Sequence, residues 1–189
     1  MIVAGLMSVI ALGIGGCEST KQILEIGEAA EKNPGPCPVA FALHDASRMV
    51  EFKGKESYKN VGFTAEITNV RSVCRYYGEQ PIVADLDMEM SFGRGPAAAH
   101  SAATYQYFVS VTRKDIEVIK KETFPITVTF PPNVNTVNVM ESVGQIIIPR
   151  ANENTSGANF EIIVGFELTQ EQIAFNAEGK RFRVSAGQN

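Results

Sequence analysis

The sequence predicts a mainly β protein, an antiparallel β-sandwich of immunoglobulin-like type with one short C-terminal helix. Two observations support this fold class. Short stretches in which apolar and polar residues alternate recur between residues 39 and 166, as strands with one buried face require. Gly, Pro, Asn and Asp separate these stretches at regular intervals. About eight short strands joined by such turns are typical of a sandwich, and a closed barrel is the alternative.

The strands can be placed in order from the alternation. They are expected at residues 39–43, 48–52, 61–74, 85–92, 105–111, 116–121, 124–130 and 160–166. Val70 and Val73 interrupt the third pattern, which indicates a bulge. In the fourth strand the inward-facing residues are Leu86, Met88, Met90 and Phe92. Residues 93–103 are expected to form a flexible loop, and residues 137–139 and 145–148 are less regular apolar pieces.

A short helix is predicted near the C-terminus. Thr169 and Gln172 have the spacing of a capping box, in which each side chain bonds a backbone N–H of the other residue. Gly179 then ends the helix. Phe182 and Val184 are expected to form a final edge strand.

The first seventeen residues predict the cellular location of the protein. Residues 2–14 carry no charge and are too short to span a bilayer. Ile14-Gly15-Gly16-Cys17 follows, and it resembles the lipobox of bacterial lipoproteins, although no Lys or Arg precedes the apolar run. The resemblance implies a signal peptide at 1–16 and an acylated Cys17. A tether at 17–36 is expected to end at Asn33-Pro34-Gly35-Pro36, and the β-sandwich domain then occupies 37–189. An uncleaved apolar helix with a buried cysteine is the alternative.

A lipobox also implies a cellular location. Cys17 would carry several acyl chains, which hold a protein to the membrane far more firmly than one chain does. By a sorting rule known for some lipoproteins, Glu18 after the cysteine resembles export to the outer membrane, facing the periplasm. The membrane, reached through the lipid anchor, is therefore one expected partner.

Cys37 and Cys74 remain once Cys17 is set aside. In an oxidising periplasm an even pair of cysteines predicts a disulfide, and two free buried thiols are the alternative. Neither cysteine has a C-x-x-C partner or a nearby His, so a metal site is not expected.

Composition and motifs favour a protein without catalytic activity. The net charge of −4, without a Lys/Arg cluster, argues against nucleic acid as a partner. No phosphate loop, nucleophile elbow or H-E-x-x-H sequence occurs, and no cofactor is expected. His44, Asp45 and Ser47 are close in sequence, but adjacency alone does not make a catalytic triad.

The candidate interface residues are arginines and tyrosines, side chains that are enriched in protein interfaces. They are Arg48, Arg71, Tyr76, Arg94, Tyr105 and Tyr107. The arginines could instead form a structural network with Glu66 or Glu51, and the tyrosines could be ordinary strand residues. Asp85, Asp87 and Glu89 share one strand face, which indicates a solvated surface more than a Ca²⁺ site.

The body of the chain resembles a family of proteobacterial envelope lipoproteins. The resemblance implies a location in the cell envelope and the extent of the domain, but it implies no biochemical activity. The residues that carry it are Cys37-Pro38, Asp45-Ala46 with Arg48, Asn69-Val70-Arg71, Cys74, Tyr76, Gly95-Pro96, Tyr107-Phe108-Val109, Lys121-Glu122, Phe124-Pro125, Val128-Thr129-Phe130-Pro131, Gly165-Phe166 and Leu168-Thr169.

These observations predict a non-enzymatic lipoprotein that binds another envelope protein as an accessory or assembly subunit. The alternative is a module that binds a small molecule or glycan. Exposed tyrosines and arginines around a concave pocket would favour the alternative, and a flat apolar strand face would favour the first hypothesis.

Overall fold

The computed structural model describes residues 35–182, and these residues form two four-stranded β-sheets. In spatial order, sheet 1 contains β1 (Val39–Ala42), β8 (Phe160–Phe166), β5 (Ala102–Arg113) and β6 (Glu117–Thr129). Sheet 2 contains β2 (Arg48–Phe52), β3 (Val61–Arg75), β4 (Ile82–Arg94) and β7 (Thr136–Ile148). Three 3₁₀ turns lie at His44–Ala46, Tyr58–Asn60 and Gly157–Asn159, and helix α1 spans Gln170–Ala177.

The strand pairing is that of a Greek-key sandwich. β4 pairs with β7 in sheet 2, and β5 pairs with β8 in sheet 1, both antiparallel. These two central pairs match the B–E and C–F pairs of immunoglobulin-like domains. β1 departs from the antiparallel pattern, because it lies parallel to β8. The predicted fold class, a mainly β sandwich with a short C-terminal helix, is confirmed.

The core fills the space between the two sheets. The four inward-facing residues predicted on β4 are all at most 1% exposed, as the alternation requires. Sheet 1 closes the other side with large apolar side chains from β5 and β8. The largest fully buried side chains are Tyr76, Tyr107, Phe92, Phe130, Phe166, Ile82, Leu86, Met88, Met90, Ile148, Ile162 and Val164.

Strand β6 corrects the prediction of two separate strands. It runs without a break through Pro125, a residue that cannot donate a backbone hydrogen bond. Gln106 faces Pro125 across the pair, and the Gln106 carbonyl accepts from Glu167 N on its other side. The nitrogen of Pro125 therefore faces the outer edge of sheet 1, where no hydrogen bond to β5 is lost.

Strand β7 joins the two irregular apolar pieces into a single strand. Its pairing with β4 shifts register between Ala84 and Leu86, and Gln145 adopts a φ of 57° there. The Asp85 carboxylate accepts a hydrogen bond from the Gln145 backbone N–H at 3.0 Å. This bulge reverses the alternation within β7, which explains why the sequence pattern seemed irregular.

Three further predictions need correction. The bulge in β3 lies between Ile67 and Asn69, a few residues before the position expected from Val70 and Val73. The loop predicted at 93–103 is shorter, because β4 extends to Arg94 and β5 begins at Ala102. On β1 the alternation predicts that Val39, Phe41 and Leu43 face the core, but Ala40 and Ala42 pack on it and Val39 is 61% exposed. The small alanines let this outer strand lie close over β3.

Helix α1 protects the outer edge of β2. The predicted capping box of Thr169 and Gln172 is present. Because Ser47 O accepts from Ile67 N, the carbonyls of Arg48 and Val50 point away from β3. Asn176 Nδ2 donates to Arg48 O at 2.9 Å and Gln172 Nε2 donates to Val50 O at 3.1 Å. Side-chain amides thus occupy acceptors that an exposed strand edge would leave open.

A small aromatic cluster holds the helix and the following residues in place. Phe52 on β2 packs edge-on against Phe175 of α1 and against Phe182, with centroid distances of 5.4 and 5.6 Å. Phe182 therefore belongs to this cluster and not to the predicted edge strand. Val184, the other residue expected in that strand, lies outside the described residues, as do the signal peptide, Cys17 and residues 18–34 of the tether.

Candidate functional site

The three candidate tyrosines are buried, so they are ordinary strand and core residues, the alternative to an exposed interface. Tyr76, Tyr105 and Tyr107 are 1 to 3% exposed. Burial raises the pKa of Tyr107, and a hydrogen bond from its hydroxyl to Glu141 at 3.0 Å raises it further. Burial also raises the pKa of Tyr105, with a smaller effect of the Glu51 charge. These rings act as core residues. The Tyr107 hydroxyl is hydrogen-bonded, whereas the Tyr105 hydroxyl is buried without a hydrogen-bond partner among the described residues.

Tyr76 holds the first described residues against the sandwich. Its hydroxyl donates to Pro36 O at 2.9 Å and accepts from Gly157 N at 3.1 Å. The predicted disulfide is confirmed beside it, because Cys37 and Cys74 are bonded with their Cα atoms 5.6 Å apart. The disulfide and this hydroxyl together fasten the first described residues to the end of β3. We call this end of the sandwich the proximal end.

Arg150 supports the same end, and no sequence signal pointed to it. Its guanidinium lies over the Tyr76 ring, 4.7 Å from the centroid. Arg150 Nη1 donates to Gly78 O at 2.7 Å, and Nε donates to Thr155 O at 2.8 Å. Further hydrogen bonds reach the carbonyls of Gln80 and Glu153. One planar cation therefore joins the loop after β3 to the loop before β8.

The candidate arginines occupy three separate positions at the surface. Arg48 Nε donates to Glu66 Oε1 at 2.7 Å across the β2–β3 pair, as the structural-network alternative expected. Arg71 is exposed on β3 and lies opposite Asp87. Arg94 lies at the far end of β4, opposite Phe63. The structure does not bring the three cations together.

The carboxylates predicted on the outward face of β4 are there, and each has its own partner. Ser142 Oγ donates to Asp87 Oδ1 at 2.6 Å, and Asn69 Nδ2 donates to Glu89 Oε1 at 3.1 Å. Asp85 accepts from the bulge of β7. Within residues 35–182, no group of three or more His, Cys, Asp or Glu is arranged to hold a metal ion.

An exposed aliphatic face lies on the outer side of sheet 2, at the proximal end. Val83 on β4 lies directly between Arg75 on β3 and Ile147 on β7, so the three side chains share one face. Val73 lies two residues before Arg75 and is on the same face. Val73, Val83 and Ile147 are 67, 37 and 62% exposed. These three residues are the aliphatic face, and Arg75 and Asp85 border it.

A concave groove lies elsewhere, between β2 and α1, with a volume of about 330 Å³. The phenyl rings of Phe52 and Phe175 contribute apolar lining. Lys180 bridges Glu56 at 2.9 Å and Glu178 at 2.5 Å across the rim. The other charged residues that line the groove are Glu51 and Glu171. None of the candidate arginines or tyrosines lines this groove.

His44, Asp45 and Ser47 do not form a triad. His44 Nδ1 lies 3.2 Å from Asp45 Oδ1, and both side chains are about 80% exposed. Ser47 Oγ donates to the backbone carbonyl of His44 and not to its ring. A nucleophile would need its hydroxyl within reach of the imidazole, which this geometry does not provide.

The described part of the chain contains no helix with the length and apolar character needed to cross a bilayer. No protein-family model matches the chain, and the searches of curated proteins and of solved structures found no significant match.

Proposed function

We propose that this protein is a non-enzymatic lipoprotein of the bacterial envelope that binds another envelope protein as an accessory or assembly subunit. Acylated Cys17 anchors the protein in the outer membrane, and the protein faces the periplasm. Residues 37–189 provide the domain that carries the binding surface. The resemblance to envelope lipoproteins supports the location in the envelope, and the aliphatic face supports the binding of a protein partner.

The aliphatic face is the observation that carries the proposal. Val73, Val83 and Ile147 come from three neighbouring hydrogen-bonded strands, so the register of the sheet holds them on one surface. An apolar centre with charged residues around it is the usual composition of a protein interface. Arg75 and Asp85 supply both signs of charge at its border, which suits selection of a partner by charge complementarity.

The alternative, a module for a small molecule or glycan, is less well supported. It required exposed tyrosines and arginines around a concave site. The three candidate tyrosines are in the core, and the groove beside α1 is bordered by carboxylates and by Lys180. The flat aliphatic face is the feature that favours a protein partner.

The test compares two valines of equal exposure. Val83 and Val134 are both 37% exposed, but Val134 lies in the loop between β6 and β7, away from the aliphatic face. Tagged full-length protein is cross-linked in cells, recovered from membranes and analysed by mass spectrometry. We expect Val83→Lys to reduce recovery of the partner about tenfold, equivalent to about 1.4 kcal/mol of binding free energy. Val134→Lys should leave recovery unchanged.

Equal recovery of the same proteins by wild type and by both variants would overturn the proposal. Circular dichroism and thermal unfolding of both variants establish that each is folded, so a loss confined to Val83→Lys reports on the surface.

A further inference from the structure

We infer that the tip of the β5–β6 hairpin, residues 113–119, inserts into the lipid surface to which the protein is anchored. The inference rests on the proposed anchor at Cys17, and it uses a surface different from the aliphatic face. Ile116 in the turn is 68% exposed, and Val118 and Ile119 at the start of β6 are 62 and 37% exposed. Three aliphatic side chains thus project from one narrow tip.

Hydrogen bonds place this tip at the proximal end, beside the beginning of the described chain. Lys114 N donates to Asn159 O at 2.9 Å. Asn159 belongs to the same 3₁₀ turn as Gly157, which donates to the Tyr76 hydroxyl. That hydroxyl holds Pro36. The hairpin tip is therefore connected to the start of the domain through one short turn and one side chain.

The position of the anchor allows this end to meet the membrane. Cys17 precedes Gly35 by 18 residues, which span at most about 60 Å when extended. A chain fastened to lipid at Cys17 and to the sandwich at Pro36 brings the proximal end toward the bilayer more often than the opposite end. The aliphatic tip is then the part of sheet 1 that meets the lipid.

The charges at the tip cancel, so electrostatic attraction to headgroups is not what drives binding, and the charged ends must stay in the headgroup region. Arg113 and Lys114 are balanced by Asp115 and Glu117, so residues 113–117 carry no net charge. Affinity of such a tip for a bilayer depends on the apolar area that it buries. The methylene chains of Arg113 and Lys114 can lie along the apolar side chains while their charged ends remain in the headgroup region.

The absence of tryptophan from the sequence provides a direct test. Ile116→Trp introduces a single indole at the tip, and Val134→Trp introduces one in the loop between β6 and β7 as a control. Each full-length acylated variant is reconstituted into vesicles of phosphatidylethanolamine and phosphatidylglycerol, with or without brominated acyl chains. We expect bromine to quench Ile116→Trp emission and the spectrum to lie at shorter wavelength than that of Val134→Trp. Because the tip has no net charge, quenching should persist at high salt.

The outcomes separate this inference from the proposed function. If both variants float with the vesicles and Ile116→Trp is no more quenched than Val134→Trp, the tip does not insert and the inference is wrong, while the anchor stands. If neither variant floats, the anchor fails and the inference fails with it. Val118→Trp repeats the measurement at a strand position. Emission that shifts only when a membrane protein is added would assign the tip to a protein partner instead of lipid.

Discussion

The hydroxyl of Tyr76 donates a hydrogen bond to the carbonyl oxygen of Pro36 at 2.9 Å, and this bond fastens the start of the sandwich to the end of β3. The same hydroxyl accepts from the buried Gly157 N–H, and Arg150 lies over the ring. The proximal end is thereby rigid, although it lies where the domain joins the rest of the chain. Both surfaces proposed for binding lie at this end of the sandwich.

Tyr76→Phe tests the contribution of this hydroxyl. The ring is retained, but Gly157 N–H loses its acceptor in a buried site, so we expect a loss of about 1–3 kcal/mol in the free energy of unfolding. Urea denaturation of wild type and variant measures it. Tyr58→Phe is the control, because Tyr58 is 43% exposed, and we expect its effect to stay within about 0.5 kcal/mol. Equal effects of the two substitutions would contradict the role given to Tyr76.

The disulfide should stabilise the fold without being required for it. Cys37 and Cys74 are 37 residues apart. The prolines on both sides of Cys37 already restrict the unfolded chain, which reduces the entropic gain. We expect Cys37→Ser combined with Cys74→Ser to fold but to lose roughly 2–4 kcal/mol. Alkylation of the unreduced, denatured wild-type protein should label neither cysteine, and labelling of both would show that the bond is absent in the cell.

Alkaline pH should destabilise the protein through two buried tyrosines. Tyr105 and Tyr107 have a raised pKa in the folded state, mainly because of burial. Above about pH 10 the unfolded chain releases tyrosine protons that the folded protein retains, so stability falls as the pH rises. Each tyrosine contributes at most about 1.4 kcal/mol per pH unit to this fall, and about half of that near pH 10, where the unfolded side chain is half deprotonated. Well below pH 10 neither contributes a pH dependence.

Urea unfolding at several pH values between about 8 and 11 measures this effect. Tyr107→Phe should make the alkaline loss shallower, because one of the two buried tyrosines with a raised pKa is removed. An unchanged slope in that variant would exclude Tyr107 as a source of the pH dependence.

The anchor is tested at Cys17. Cys17→Ala removes the thiol that the lipobox resemblance assigns to acylation, so we expect a soluble chain or an unprocessed precursor. Ser19→Ala, which leaves residues 14–17 unchanged, is the control and should remain in the membrane fraction. Retention of processed Cys17→Ala after a carbonate wash would contradict the lipoprotein assignment.

The sequence was sufficient wherever a local rule decided the structure. The alternation of β4, the capping box at Thr169 and the cysteine pairing were all predicted, from spacing or from the expected compartment, and the structure has all three. In β7 the bulge at Gln145 exchanges the two faces, so no single alternation runs through the strand.

The candidate site was less accessible to sequence reasoning because it depends on how distant strands meet. A strand tyrosine suits a core or an interface equally well, and only the packing of the two sheets buried Tyr105 and Tyr107. The aliphatic face arises because the register places Val83 beside Ile147, 64 residues later in the chain. No sequence pattern pointed to Arg150, since its hydrogen-bond partners are backbone carbonyls in two separate loops.

Photo-cross-linking from the aliphatic face tests the central claim most directly. A photoreactive amino acid replaces Ile147 in the full-length protein, and illumination of intact cells is followed by electrophoresis and mass spectrometry of the adducts. The same replacement at Val134 is the control. We predict a discrete adduct between position 147 and a second envelope protein, absent from position 134. No protein adduct at position 147, or the same adducts from both positions, would contradict the claim that this face binds a partner.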